Sequence, residues 1–220
     1  RMTPAFGDIT FNIHNRQMLA ATQANGILPP HFNDVHQWTG ERFRPEWCNG
    51  DDRKVLAEFA RYETAADFYR DTEVYFYHCP AFILEGLALP YFSRLFMLTE
   101  NNPVTILDYG CGPGEYGLLM LALGYYVQFA DLPSHSLDFL RWRLARRGYN
   151  FQKMVYAIGI DPLPKVEIAW CMDVLEHLPQ AEHESFLSML AGMGSSVCVN
   201  LVLDSAADGR LHHPVDAEAL

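Results

Sequence analysis

Residues 104–117 read VTILDYGCGPGEYG, and the rest of the chain is arranged around them. Val104, Ile106 and Leu107 form a short apolar run bounded by Pro103 and Gly110, the pattern of a buried strand. Asp108 stands at its end. Gly110, Cys111, Gly112, Pro113 and Gly114 make a tight loop. Residues 115–123 then read as a helix, with Glu115 in the first turn and Gly124 just past the last. Strand, glycine loop and helix in that order bring bare backbone N–H groups up to a nucleotide-like ligand in α/β proteins.

Gly112, Gly114 and Gly117 match the spacing G-x-G-x-x-G, which by itself does not name a ligand. Asp108 discriminates, because a carboxylate beside the loop repels a pyrophosphate and suits a cationic amine. S-adenosylmethionine carries an ammonium and a sulfonium and no phosphate. The stretch LDYGCGPG resembles the first motif of the class I S-adenosylmethionine-dependent methyltransferases. A second resemblance lies downstream, where the nearly continuous apolar run 166–172 leads into DVLEHLP, residues 173–179. A strand followed by Asp-x-Leu-Glu-His recurs in that family.

Composition bounds the alternatives. The 220 residues suit one domain with an appendage or two small domains, and 50% hydrophobic content is ample for a core. A formal charge of −11, with lysine only at 54, 153 and 165, argues against sequence-independent nucleic-acid binding, which needs a basic face. Arg141, Arg143, Arg146 and Arg147 form a local cluster, read as a solvated helix face. The five cysteines (48, 79, 111, 171, 198) show no C-x-x-C pairing and point to a reducing compartment. The most apolar stretch, 81–92, is interrupted by Glu85 and Pro90 and is too short to span a bilayer. The expectation is a cytoplasmic protein with no membrane partner.

Residues 1–100 read as a helical cap or substrate region. Asp8 is placed as the cap of a helix to about residue 22, stopped by Gly26 and Pro29-Pro30. His31 and His36 have no third partner at metal-ligand spacing and are read as packing histidines, so no metal is expected. Asp51 or Asp52 caps a helix on which Val55, Phe59, Tyr62, Ala66 and Tyr69 share one apolar face. Tyr75, Phe76, Tyr77, His78, Phe82, Tyr91, Phe92 and Phe96 follow, broken into short helices by Pro80 and Pro90. Their rings are either the core of a helical subdomain or an apolar lid over a substrate.

From residue 101 strands alternate with helices, which signals a doubly wound, mostly parallel sheet. A second strand at 125–130 ends in Asp131, about 20 residues past the glycine loop, where the fold places an acceptor for ribose hydroxyls. Ser134 caps a helix to Arg147, closed by Gly148. Strands follow at 151–157, 166–172 and 196–203, with a helix carrying Phe186, Leu187 and Leu190 before the last.

The resemblance covers about residues 101–205 and implies a Rossmann-like domain over 101–220. It implies methyl transfer from S-adenosylmethionine to a small acceptor whose accepting atom stays open. By this resemblance Asp108, Tyr109, Gly110, Gly112, Gly114, Asp131 and Leu132 meet the cofactor. By the same resemblance the turn Ile158-Gly159-Ile160-Asp161 holds the adenine, and Cys171, Met172 and Asp173 approach the methionine portion. His177 is the first candidate base, with His212 and His213 second, needed only if the acceptor is protonated. The family's sheet has seven strands, so the chain is expected to be a fragment. The next ~50 residues would add a helix and two strands, and until then the exposed sheet edge invites oligomerisation. Two other readings stay open: a nicotinamide-dependent oxidoreductase on the same fold, and a non-catalytic cofactor-binding or interaction protein.

Overall fold

A computed structural model describes residues 31–48, 52–84, 88–100, 102–200, 212, 213 and 215. The expected helix after Asp8, the stop at Gly26 and Pro29-Pro30, and strand residues 201–203 lie outside these. So do the side chains of His31, Asp51 and Asp52.

The chain enters through helices α1 (His31–Thr39), α2 (Asp52–Phe59), α3 (Ala65–Asp71), α4 (Tyr75–Leu84) and α5 (Leu89–Thr99). The single face expected from Val55 to Tyr69 belongs to two helices. The Thr64 hydroxyl accepts from the amide of Asp67 at 3.1 Å and starts α3 afresh. Both helices still bury one cluster, in which Val55 and Phe59 meet Phe68 and Val74. Pro80 does not break α4 as its type suggests. A proline inside a helix costs ~3 kcal/mol or more. Burial of Phe76, Tyr77, Ala81 and Ile83 along the same helix, at ~1.5–3 kcal/mol for each large side chain, outweighs that. Pro90 sits in the first turn of α5, where its missing N–H is harmless.

The second part is a parallel sheet built from β1 (Thr105–Tyr109), β2 (Tyr126–Asp131), β3 (Val155–Ala157), β4 (Val166–Cys171) and β5 (Gly194–Val199). Strand order is β3-β2-β1-β4-β5, so the direction of winding reverses between β1 and β4. Helices α6 (Glu115–Ala122), α7 (His135–Arg146) and α8 (His183–Met193) connect the strands. Alternation along β1 explains the two layers. Ile106 packs with Phe92 and Leu95 of α5, Leu118 of α6 and Leu140 of α7, whereas Leu107 packs with Leu190 and Phe186 of α8. With both faces covered, the strands read as apolar runs. The expected doubly wound, Rossmann-like parallel sheet is present. The third strand is shorter than expected, because Phe151–Lys153 forms a 3₁₀ turn ahead of it.

Candidate active site

The carboxyl ends of β1, β2 and β4 open into a cavity of about 1040 Å³ whose other wall comes from α2, α3 and α4. Its floor is the glycine loop. The amides of Gly110 and Cys111 both donate to the Ala130 carbonyl, at 2.8 and 3.2 Å, and tie the loop to the end of β2. Gly110 has φ +72°, and a Cβ there would lie 2.4 Å from Val174 Cγ2. Gly117 closes the loop by packing. A Cβ on it would stand 2.1 Å from Phe129 and 2.8 Å from Asp108 Oδ2, so only glycine lets α6 lie this close to the sheet. At Gly112 a Cβ would meet nothing within 4 Å, which leaves the loop crest bare toward the cavity.

Of the residues expected to meet a cofactor, Tyr109, Gly110, Gly112, Asp131, Leu132, Met172 and Asp173 line this cavity, as does His177. Asp108, Gly114, Gly159, Ile160, Asp161 and Cys171 do not. Asp108 is buried behind the loop, where its Oδ2 accepts from the Gly117 amide at 2.9 Å. Burial pushes its pKa up to about 7, against the pull of that amide. Its geometry is that of a residue that positions α6. Gly114 packs on Leu140, and Cys171 sits in the core under α8. Ile160 is exposed, and Asp161 Oδ2 accepts from the Ala157 amide at 2.8 Å. Ile158, at the start of that turn, is the member that reaches the cavity.

Asp131 holds the β2 end. Its two oxygens accept from the amides of Gly112 and Leu132, and burial still raises its pKa to about 6. Across the winding reversal, Asp173 adopts φ +55°, which few non-glycine residues tolerate. It is held there by Asn200, which bonds both its amide and its carboxylate, and by Tyr116, whose hydroxyl donates to Oδ2 at 3.0 Å. Burial raises its pKa too. Leu175–His177 form one 3₁₀ turn that carries Glu176 and His177 to the cavity. The His177 ring lies 5.4 Å from Tyr69 and 4.9 Å from His212. His213 donates its amide to the Glu176 carbonyl at 2.6 Å.

The helical wall brings Tyr69, Tyr75, His78, Cys79 and Phe82 to the same cavity as the glycine loop. Tyr69 and Tyr75 are stacked at 5.9 Å. These rings face the cavity, and Tyr69 and Tyr75 also pack against Phe68.

The arginine cluster is a solvated face only in part: Arg146 is exposed and Arg141 pairs with the exposed Asp138, whereas Arg143 and Arg147 turn inward. Arg143 is buried, donating to the Pro113 carbonyl at 2.7 Å, to Glu115 at 2.5 Å and to Asp34 Oδ2 at 3.2 Å. Arg147 donates to the same Asp34 oxygen at 2.6 Å. This buried network ties α1 and α7 to the glycine loop. The signal was the helical period: Arg143 lies four residues after Phe139 and three after Leu140, on the apolar side of α7.

No protein-family model matches the chain, and no curated protein matches it in sequence. Several solved structures resemble it. Magnesium protoporphyrin IX methyltransferase (ChlM) from Synechocystis PCC 6803, with bound SAH, is 15% identical over 76% of this chain and 84% of that one, with a TM-score of 0.48. The bifunctional kinase-methyltransferase WbdD is 16% identical, covering 76% of this chain, with a TM-score of 0.49. The PH0226 protein from Pyrococcus horikoshii OT3 is 16% identical over 62% of this chain, with a TM-score of 0.43. The chain spans 39% of WbdD and 55% of PH0226. Likenesses this distant carry no argument about activity or substrate.

Proposed function

We propose that the protein is an S-adenosylmethionine-dependent methyltransferase acting on a small-molecule acceptor. The observation that carries this is the charge of the cavity. Among the described residues its lining holds the carboxylates of Glu115, Asp131, Asp173, Glu176 and Glu182 and neither lysine nor arginine. Such a lining repels the pyrophosphate of a nicotinamide dinucleotide and attracts a ligand bearing an ammonium and a sulfonium.

The residues present fit such a ligand. The bare crest at Gly112 lets it approach the backbone. Each Asp131 oxygen already accepts one amide and keeps a lone pair for a ribose hydroxyl. Leu132 and Ile158 line the cavity and would flank a base, and Met172 and Asp173, also in the lining, would meet the amino-acid end. When bound, S-adenosylmethionine supplies a methyl group activated by its sulfonium. The protein's part is alignment and water exclusion, the second of these from the aromatic wall of α3 and α4. His177 lines the cavity beside Tyr69 and is the candidate base for an acceptor hydroxyl.

The test is transfer of label from methyl-labelled S-adenosylmethionine into pooled small-molecule amines and alcohols. Label is expected in a product, and Gly112→Val, which fills the bare crest, should abolish it. No labelled product from any pool would count against the reading.

A further inference from the structure

One group in the cavity is left over by this account. Glu176 is 4% exposed and lines the cavity, and among the described residues its Oε2 has no hydrogen-bonding partner. Of the other carboxylates at the cavity, Glu115 pairs with Arg143, Asp131 accepts from two amides, and Asp173 accepts from Asn200 and Tyr116. A buried carboxylate oxygen without a partner is costly, and it persists where a ligand satisfies it.

Sheet order places this oxygen relative to the cofactor site. Asp131 ends β2 and Glu176 lies on the turn after β4; these two strands flank β1, and their ends are two strand spacings or ~10 Å apart. A nucleoside whose ribose meets Asp131 therefore extends its reactive end across β1 toward β4. There the walls are Tyr69, Tyr75, His78, His177 and His212. Rings around a carboxylate oxygen without a partner, in a lining that holds neither lysine nor arginine among the described residues, favour an organic cation.

We propose that the β4 end of the cavity takes a protonated amine, and that Glu176 is the carboxylate that receives it and accepts its proton. This rests on the methyl-transfer reading. The proton leaves the ammonium for the Glu176 carboxylate. The freed nitrogen lone pair forms the N–CH3 bond, while the pair of the broken S–CH3 bond returns to sulfur. Burial, with a smaller contribution from Asp173, raises the Glu176 pKa to about 7, so the group exchanges protons near neutrality. The groups around it are Asp173 and His177 on its own loop, Tyr69 of α3, Tyr75 and His78 of α4, Tyr91 of α5, Tyr116 of α6, Cys171 of β4, and His212.

Benzylamine and its neutral counterpart benzyl alcohol are the probes, titrated calorimetrically with and without saturating S-adenosylhomocysteine. Benzylamine is expected to bind at least about tenfold more tightly than the alcohol, a charge-assisted contact being worth ~1.5–3 kcal/mol. Glu176→Gln should erase that preference while S-adenosylhomocysteine still binds. For the wild type, affinity for benzylamine should rise about tenfold or more from pH 5.5 to 7.5 as a group of pKa about 7 ionises. Equal binding of the two probes overturns the proposal, as does an unchanged preference in Glu176→Gln or a flat wild-type pH profile. If Glu176→Gln does not fold, Glu176→Asp and the wild-type pH series decide. Failure of S-adenosylhomocysteine to bind would refute the methyl-transfer reading separately, since the probes are also titrated without it.

Discussion

Replacing Arg143 with methionine should destabilise the protein by about 3–5 kcal/mol near pH 8, the cost of breaking a buried ion pair from one side. The structure says why the effect is large. Arg143 is almost wholly buried between Asp34 and Glu115, which are nearly as buried. Asp34 keeps Arg147, but Glu115 loses its bonding guanidinium and Pro113 loses a donor. Against a typical total stability of ~5–15 kcal/mol this is a substantial fraction. The penalty also depends on pH. Burial already raises the Glu115 pKa while Arg143 pulls it down, so removing Arg143 raises it further. The folded variant then holds a proton that its unfolded chain releases, and its stability falls as pH rises. Urea denaturation of wild type and Arg143→Met should therefore show a gap that widens from pH 5.5 to 8. A gap below about 1 kcal/mol at pH 8, or one independent of pH, would refute the idea that Glu115 depends on this pairing.

Gly117→Ala should destabilise by about 1–3 kcal/mol through overpacking against Phe129 and Asp108, despite alanine's better helix propensity. Denaturation measures it, and pairing it with Phe129→Leu should recover part of the loss. The ligand-free protein should lose thermal stability between about pH 4 and 7. Asp131 and Asp108 hold protons up to pKa values of about 6 and 7, and in the unfolded chain both release them near 3.8. Melting temperature across that range reads the sign directly. Tyr116→Phe removes a donor from Asp173 and should cost about 0.5–1.5 kcal/mol in denaturation.

The glycine loop, its flanking elements and the doubly wound order were legible because they rest on local rules. Apolar alternation marks β1, and Gly117 sits where helix and strand must touch. The break between α2 and α3 was hidden because both helices feed one cluster, so the apolar spacing runs on across Thr64. Continuation of α4 through Pro80 is a tertiary effect that propensity does not carry. Arg143 was missed because a charged residue type suggests solvent, whereas burial is decided by what packs over it. Asp108 was recognised, but its partner is the Gly117 amide, a contact set by where α6 lands.

The central claim is that the acidic cavity takes an adenosyl ligand that carries an ammonium and no phosphate, and rejects a dinucleotide. Calorimetric titration of S-adenosylhomocysteine and NADH in parallel, on wild type and Asp131→Asn, tests it most directly. The prediction is saturable binding of S-adenosylhomocysteine, weakened in Asp131→Asn by the ~1.5–3 kcal/mol of a charge-assisted hydrogen bond, and no binding of NADH. Binding of NADH without S-adenosylhomocysteine, or equal affinity of the wild type and Asp131→Asn for S-adenosylhomocysteine, would contradict it.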